Sequence, residues 1–174
     1  GSGKRPTRLF GSLQDITERK QAEVALSESE EKYREIIEQS LDGVLISDGH
    51  GNIVVWNKSL ESITGIQQCD AIGKLVWETQ LRLIPDEQKT VEVVEQFQNG
   101  IKNILESKMD WPGVSREQAI ICVDGTHKVV LDSSFIIKTN KNMFFGSVLR
   151  DITERKRAEL EMVSAQEKLK EAHR

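Results

Sequence analysis

Three observations predict an α+β fold, with strands and helices segregated along the chain. Runs rich in β-branched residues, GVLIS, IVVW and KVVLDSSFIIK, stand on either side of a central stretch with helical periodicity. Short Gly- and Asp-containing turns separate those runs, as antiparallel pairing requires. Long charged segments at both ends carry apolar residues at alternating spacings of three and four, the spacing of a helix face.

The elements follow in order. Ala22, Leu26, Ser29, Tyr33 and Ile36 form one such stripe and predict a helix, after which Ile36, Ile37 and Leu41 are expected to enter a core. Strands are predicted at Gly43–Ser47 and Ile53–Trp56, joined by the turn DGHGN. Asn57 can cap a short helix, Lys58–Thr64, that Gly65 ends. Gln67–Trp77 reads as irregular or weakly helical, and Pro85-Asp86 opens an interior helix, Glu87–Glu106, with Val94, Phe97, Ile101, Ile104 and Leu105 on one side. After a loop at Ser107–Ser115, three strands form a meander: Glu117–Val123, Lys128–Lys138 and Met143–Arg150, with turns at Asp124-Gly125 and Asn140. Ala158, Met162, Ala165, Leu169 and Ala172 repeat the first stripe's spacing and predict a second helix, whose stripe a parallel partner helix can bury.

Composition narrows the function classes. Charged residues make up 30% and apolar residues 37% of the 174, which suits one packed core with solvated helices. Acids and bases are interspersed at a net charge of −4, so no basic stripe for nucleic acid stands out. Cys69 and Cys122 are isolated, arguing against a disulfide framework or a zinc site and for a cytoplasmic setting. No apolar run approaches the ~20 residues that span a bilayer, so no direct membrane contact is expected, although a parent protein could be anchored elsewhere. Catalysis is not expected. The sequence has no phosphate-cradling Gly-rich loop, no GxSxG and no HExxH, and His173 lacks the context of a kinase phosphoacceptor.

The hexapeptide DITERK occurs twice, at Asp15–Lys20 and Asp151–Lys156, inside longer similar stretches, FGSLQDITERKQAE and GSVLRDITERKRAE. In each copy an alternating run stops at Asp, which can cap the helix that follows, with Thr17 and Thr153 as competing caps. Together with EKYREIIEQSLDGVLISDGHGNIVVWN, ITGIQQCDAIGKLVWE and DGTHKVVLDSS, the second copy resembles the PAS family of sensory modules over about Glu31–Glu154. Asn57, Gly65, Gly73, Asp124, Gly125, Asp151, Ile152 and Thr153 fall on that family's signature positions.

The resemblance implies a five-stranded antiparallel sheet with helices on one face, flanked by linker helices. Residues 1–14 then read as a cloning scar (Gly1-Ser2-Gly3) plus the last strand of a preceding module. Residues 15–41 form the incoming linker, 42–150 the core and 151–174 an exit helix. The implied role is sensing a small ligand, or relaying a signal, through the flanking helices to an effector such as a histidine kinase. A passive dimerisation spacer and a flavin- or haem-based sensor are the alternatives. Expected partners are a second copy, through the helices, and neighbouring PAS or kinase modules of the same chain.

The resemblance also places a cavity between the sheet and the interior helices. Haem-binding relatives take an axial histidine from the long interior helix, which has none here; His50 and His127 lie in or beside turns. Cys122 could ligate iron in principle but reads better as a buried thiol. Light-sensing relatives carry a reactive cysteine in a GRNCRFLQ-like stretch, where this chain has GKLVWETQ with Val76 near that position. Trp56, Trp77 and Trp111 could stack on a non-covalent flavin, but core roles are the simpler reading. A small metabolite and an empty, packed core stand equal, and no metal is expected.

In the central strand of the meander, Val129, Leu131, Ser133, Phe135 and Ile137 share the more apolar face and are assigned inward. On the last strand either Phe145, Ser147 and Leu149 or Phe144, Gly146 and Val148 face in. The expected pocket set is Leu45, Val54, Ile63, Phe97, Ile101, Cys122, Leu131, Ser133, Phe135 and Ser147.

Overall fold

A computed structural model describes residues 16–106 and 112–172, with the side chain of Ala172 excepted. The expectations placed on residues 1–15, the loop 107–111 with Trp111, and His173 lie outside the described residues. The described chain separates into two units, residues up to Ile36 and residues from Ile37 onward.

The first unit is the body of one helix, α1 (Thr17–Glu38). Its first turn closes with Lys20 N–H donating to the Ile16 carbonyl, and it buries no residue of its own. Leu26, Tyr33 and Ile36 are all exposed.

The second unit holds a five-stranded antiparallel sheet. Its strands are β1 (Gly43–Ser47), β2 (Ile53–Trp56), β3 (Val114–Ile121), β4 (His127–Lys138) and β5 (Met143–Asp151), in spatial order β2-β1-β5-β4-β3. Between β2 and β3 run α2 (Lys58–Thr64), α3 (Gln68–Ala71), α4 (Val76–Leu81) and α5 (Val91–Glu106); α6 (Thr153–Ala172) follows β5. The core lies on one side of the sheet, where Leu45, Trp56, Leu60, Ile66, Val76, Ile101, Val130, Phe145 and Leu149 cluster. No helix among the described residues is long and apolar enough to cross a membrane.

β1, β2 and α2 run as the sequence predicts, and their junction is set by Asn57. Its side-chain carbonyl accepts from Leu60 N–H (3.0 Å) as the α2 cap and from Val44 N–H (2.8 Å) in β1. Its amide donates to the carbonyls of Ile37 (2.8 Å) and Asp42 (3.0 Å). Gly65 ends α2 at φ 77°, the left-handed conformation that glycine adopts without a Cβ penalty.

Elsewhere the boundaries move. The interior helix starts at Val91 rather than Glu87, because Asp86–Gln88 closes a separate 3-10 turn and Thr90 then caps α5 through Val93 and Val94 N–H. Gln67–Trp77 supplies α3 and the start of α4. β3 begins at Val114, paired with Ser134, three residues before its expected start. Leu41 is 94% exposed and does not enter the core, whereas Ile37 is partly covered.

Candidate functional site

Register decides what faces the core. Phe145, Ser147 and Leu149 of β5 are buried, which settles the face that periodicity left open. Their partners on β4 are Ile136, Ser134 and Asp132, so the inward set of β4 is Val130, Asp132, Ser134 and Ile136. The inward assignment of Leu131, Ser133 and Phe135, with Val129 and Ile137, is therefore corrected: these residues share the outer face.

The physical reason is a pair of local satisfactions invisible to hydropathy. Asp132, 4% exposed, is tolerated inside because Ser147 Oγ–H donates to its Oδ1 at 2.6 Å and Gln118 Nε2 lies 3.3 Å from Oδ2. On the outer face, the Phe135 ring lies over Gly146, where a Cβ would come within 2.5 Å of it, and the Ser133 and Ser115 hydroxyls pair at 2.9 Å. An aromatic over a cross-strand glycine covers the gap in that face.

The inner face and helices α4 and α5 flank a half-open cavity of about 260 Å³. Phe97, Ile101, Ile104 and Phe145 line it with apolar surface; Gln80, Gln96, Arg116, Asp132 and Ser134 supply polar groups. A tighter recess of about 50 Å³ continues toward Leu45, Trp56, Leu60 and Leu149, sharing Gln80, Phe97 and Asp132 with the larger space.

Of the expected pocket set, Phe97 and Ile101 line the cavity, and Leu45 and Ser147 line the recess. Val54 is 47% exposed on the sheet surface, where β2 alternates away from the core. Ile63 is buried against Gly43, and Cys122 donates its thiol to the Ile63 carbonyl at 3.1 Å, so both belong to packing beside α2. Burial pushes the Cys122 thiol above its ordinary value, with Lys128 only partly offsetting it, which keeps it the neutral form and a poor metal ligand. Trp56 donates Nε1–H to the Ile66 carbonyl from inside the core, and Trp77 lies against Gly51 of the hairpin turn. His50 and His127 are exposed. Among the described residues no three His, Cys, Asp or Glu side chains gather as metal ligands.

Ile104, Ser134 and Phe145 line the cavity outside the expected set, as do the polar residues Asp132, Arg116, Gln80 and Gln96, with Gln118 in the recess. A charged residue in a strand reads as outward-facing, and only the Asp132–Ser147 bond across two strands reverses that reading.

The remaining signature positions build turns and the exit. Gly73 takes φ 78° and donates to the Ile53 carbonyl at 2.8 Å; Gly125 takes φ 82° in the β3–β4 turn, where Asp124 accepts from Thr126 N–H. Asp151 Oδ1 accepts from the Thr153 amide (2.9 Å) and hydroxyl (2.6 Å) at the start of α6. Ile152 is buried and donates to the Val129 carbonyl, while Thr153 Oγ1 accepts from Val129 N–H. Burial alone would raise the Asp151 carboxyl; the Thr153 hydrogen bonds, helped by Lys128, outweigh it and hold the group below its usual value. Glu117 of β3 binds α6 from the other side, through Lys156 Nζ at 2.6 Å and Arg155 Nη2 at 3.0 Å.

A family model described as "PAS fold" matches residues 31–152 of the chain. The sensor protein FixL of Bradyrhizobium diazoefficiens is 37% identical over 68 residues, 39% of this chain and 14% of that protein. Sporulation kinase E of Bacillus subtilis is 43% identical over 47 residues, 27% of this chain and 6% of the kinase. The chain thus aligns with a small part of each relative's length. Among solved structures, the PAS domain of an HTR-like protein from Haloarcula marismortui superposes with a TM-score of 0.56 at 20% identity, over 76% of this chain and 99% of that domain. That likeness is one of fold.

Proposed function

This chain belongs to the PAS family, and on that premise we propose that it is a sensory module in which occupancy of the cavity sets the position of the exit helix α6. The observation that carries this reading is that every strand lining the cavity also anchors the start of α6. β5 presents Phe145 to the cavity and Ser147 and Leu149 to its recess, then runs into the Asp151 cap. β4 presents Asp132 and holds Thr153 through Val129. β3 presents Arg116 to the cavity and Gln118 to the recess, while Glu117, between them, takes Lys156 and Arg155 of α6. A ligand that favours one strand arrangement shifts the helix with it, tenfold in population for each ~1.4 kcal/mol of preference.

The repeated DITERK supports the reading of residues 1–14 as a cloning scar plus the tail of a preceding module and residues 15–41 as the linker that leads into this one. Residues 42–150 then act as the sensing core and 151–174 as the outgoing helix to an effector of the same polypeptide. The relatives named as a sensor protein and a kinase favour a histidine-kinase output. A cavity of about 260 Å³ falls just under the ~300–1,000 Å³ of drug-sized ligand sites and favours a small metabolite over haem or a flavin.

Mass spectrometry of the protein purified from its native source, with a thermal-shift panel of metabolites, tests the sensing role. A retained compound or a stabilising metabolite is the expected result. An empty protein that no metabolite stabilises would leave a passive dimerisation spacer as the function.

A further inference from the structure

The cavity carries two opposite charges that do not saturate one another. Asp132 is buried, and its carboxylate has about four acceptor positions, of which Ser147 and the longer Gln118 contact occupy two. Arg116 Nη2 stands 3.9 Å from Asp132 Oδ2, too far for a hydrogen bond, with its side chain 56% exposed at the cavity. A buried carboxylate without full partners is costly, so the site gains from a ligand that completes it.

We propose, building on the sensing role above, that the cavity binds an α-amino acid with an apolar side chain, its ammonium group on Asp132 and its carboxylate on Arg116. A simple amine would satisfy Asp132 but face Arg116; a simple carboxylic acid would do the reverse. A zwitterion presents both charges from neighbouring atoms, at the scale of the 3.9 Å gap between the two side chains. Its side chain then meets Phe97, Ile101, Ile104 and Phe145. Size agrees: about 260 Å³ falls just under the ~300–1,000 Å³ of drug-sized ligand sites, which suits a molecule as small as an amino acid.

Calorimetric titration of the chain with L-leucine and L-phenylalanine tests this, beside 3-methylbutylamine and 4-methylpentanoic acid as leucine without its carboxylate or its ammonium. The expected result is binding of at least one amino acid, with each truncated analogue about tenfold weaker or worse, as loss of a charge-assisted contact predicts. Arg116→Met, at a side chain 56% exposed, should lower amino-acid affinity to a similar degree, and circular dichroism reports whether the variant keeps its fold. Asp132→Asn should abolish binding, under the same check of its fold. An amine or acid that binds as well as the amino acid overturns the proposal, as does amino-acid binding that Arg116→Met leaves unchanged. Failure of both amino acids, with a retained compound of another class found by mass spectrometry, rejects the zwitterion and keeps the sensing role. Failure of both amino acids with no retained compound and no stabilising metabolite rejects both.

Discussion

Asn57 is fully buried and spends both side-chain acceptor positions and both donors on four backbone groups, in β1, in α2 and on either side of the turn that precedes β1. Asn57→Ala strands those groups and should cost about 2–4 kcal/mol, read as a lower urea midpoint with an unchanged slope. Asp42 works differently. Its carboxylate takes a two-pronged contact from Arg150, Nε to Oδ1 at 2.9 Å and Nη2 to Oδ2 at 2.7 Å, tying β5 to the start of β1. The Arg150 hydrogen bonds, joined by its charge, hold the Asp42 carboxyl below its ordinary value against the opposing effect of burial. The folded state thus binds this proton less readily than the unfolded chain does. The pair's contribution is fully present above about pH 3.9 and is lost as pH falls through the lowered folded value. Urea midpoints measured between about pH 6 and pH 3 should fall less steeply in Asp42→Asn than in the parent.

At the scale of elements, α2 packs closely on β1. A Cβ on Gly43 would stand 2.7 Å from Leu60 Cδ1 and 3.1 Å from the Leu60 backbone, which cannot swing aside as a side-chain tip can. Gly43→Ala should therefore push α2 off the strand at a cost of about 1–3 kcal/mol, measured by denaturant unfolding. β1, β2 and α2 were readable from the chain because their signals are local: a Gly-rich turn, an Asn cap and a Gly stop. α5 was readable in its apolar side but not in its start, since Thr90 competes as a cap five residues after Pro85. β4 was misread in its facing because its inner face carries Asp132 and Ser134 and is the less apolar of the two.

At the scale of the whole molecule, the open question is what the exit helix meets. α6 leaves Met162 66% and Leu169 60% exposed, at positions spaced for a parallel helix pair with Ala158 and Ala165. The Ala172 position completes that register. If α6 pairs with a second copy, Met162→Asp and Leu169→Asp should each lower the mass read by light scattering while leaving the far-ultraviolet dichroism of the core intact. A parent-like mass in both variants would place any self-association elsewhere. The cavity was legible only in part. Leu45, Phe97, Ile101 and Ser147 were in the expected set, although periodicity left the facing of Ser147 open, whereas Asp132, Arg116 and Gln118 were not.

The amino-acid sequence by itself determined the five strands, α2, the apolar side of α5, the exit helix and the family. Those properties rest on interactions between residues close along the chain. Which face of β4 turns inward, and so which charges meet a ligand, was decided only by tertiary structure. Ser147 lies 15 residues from Asp132, and the hydrogen bond between them makes a buried carboxylate tolerable once β4 and β5 are in register.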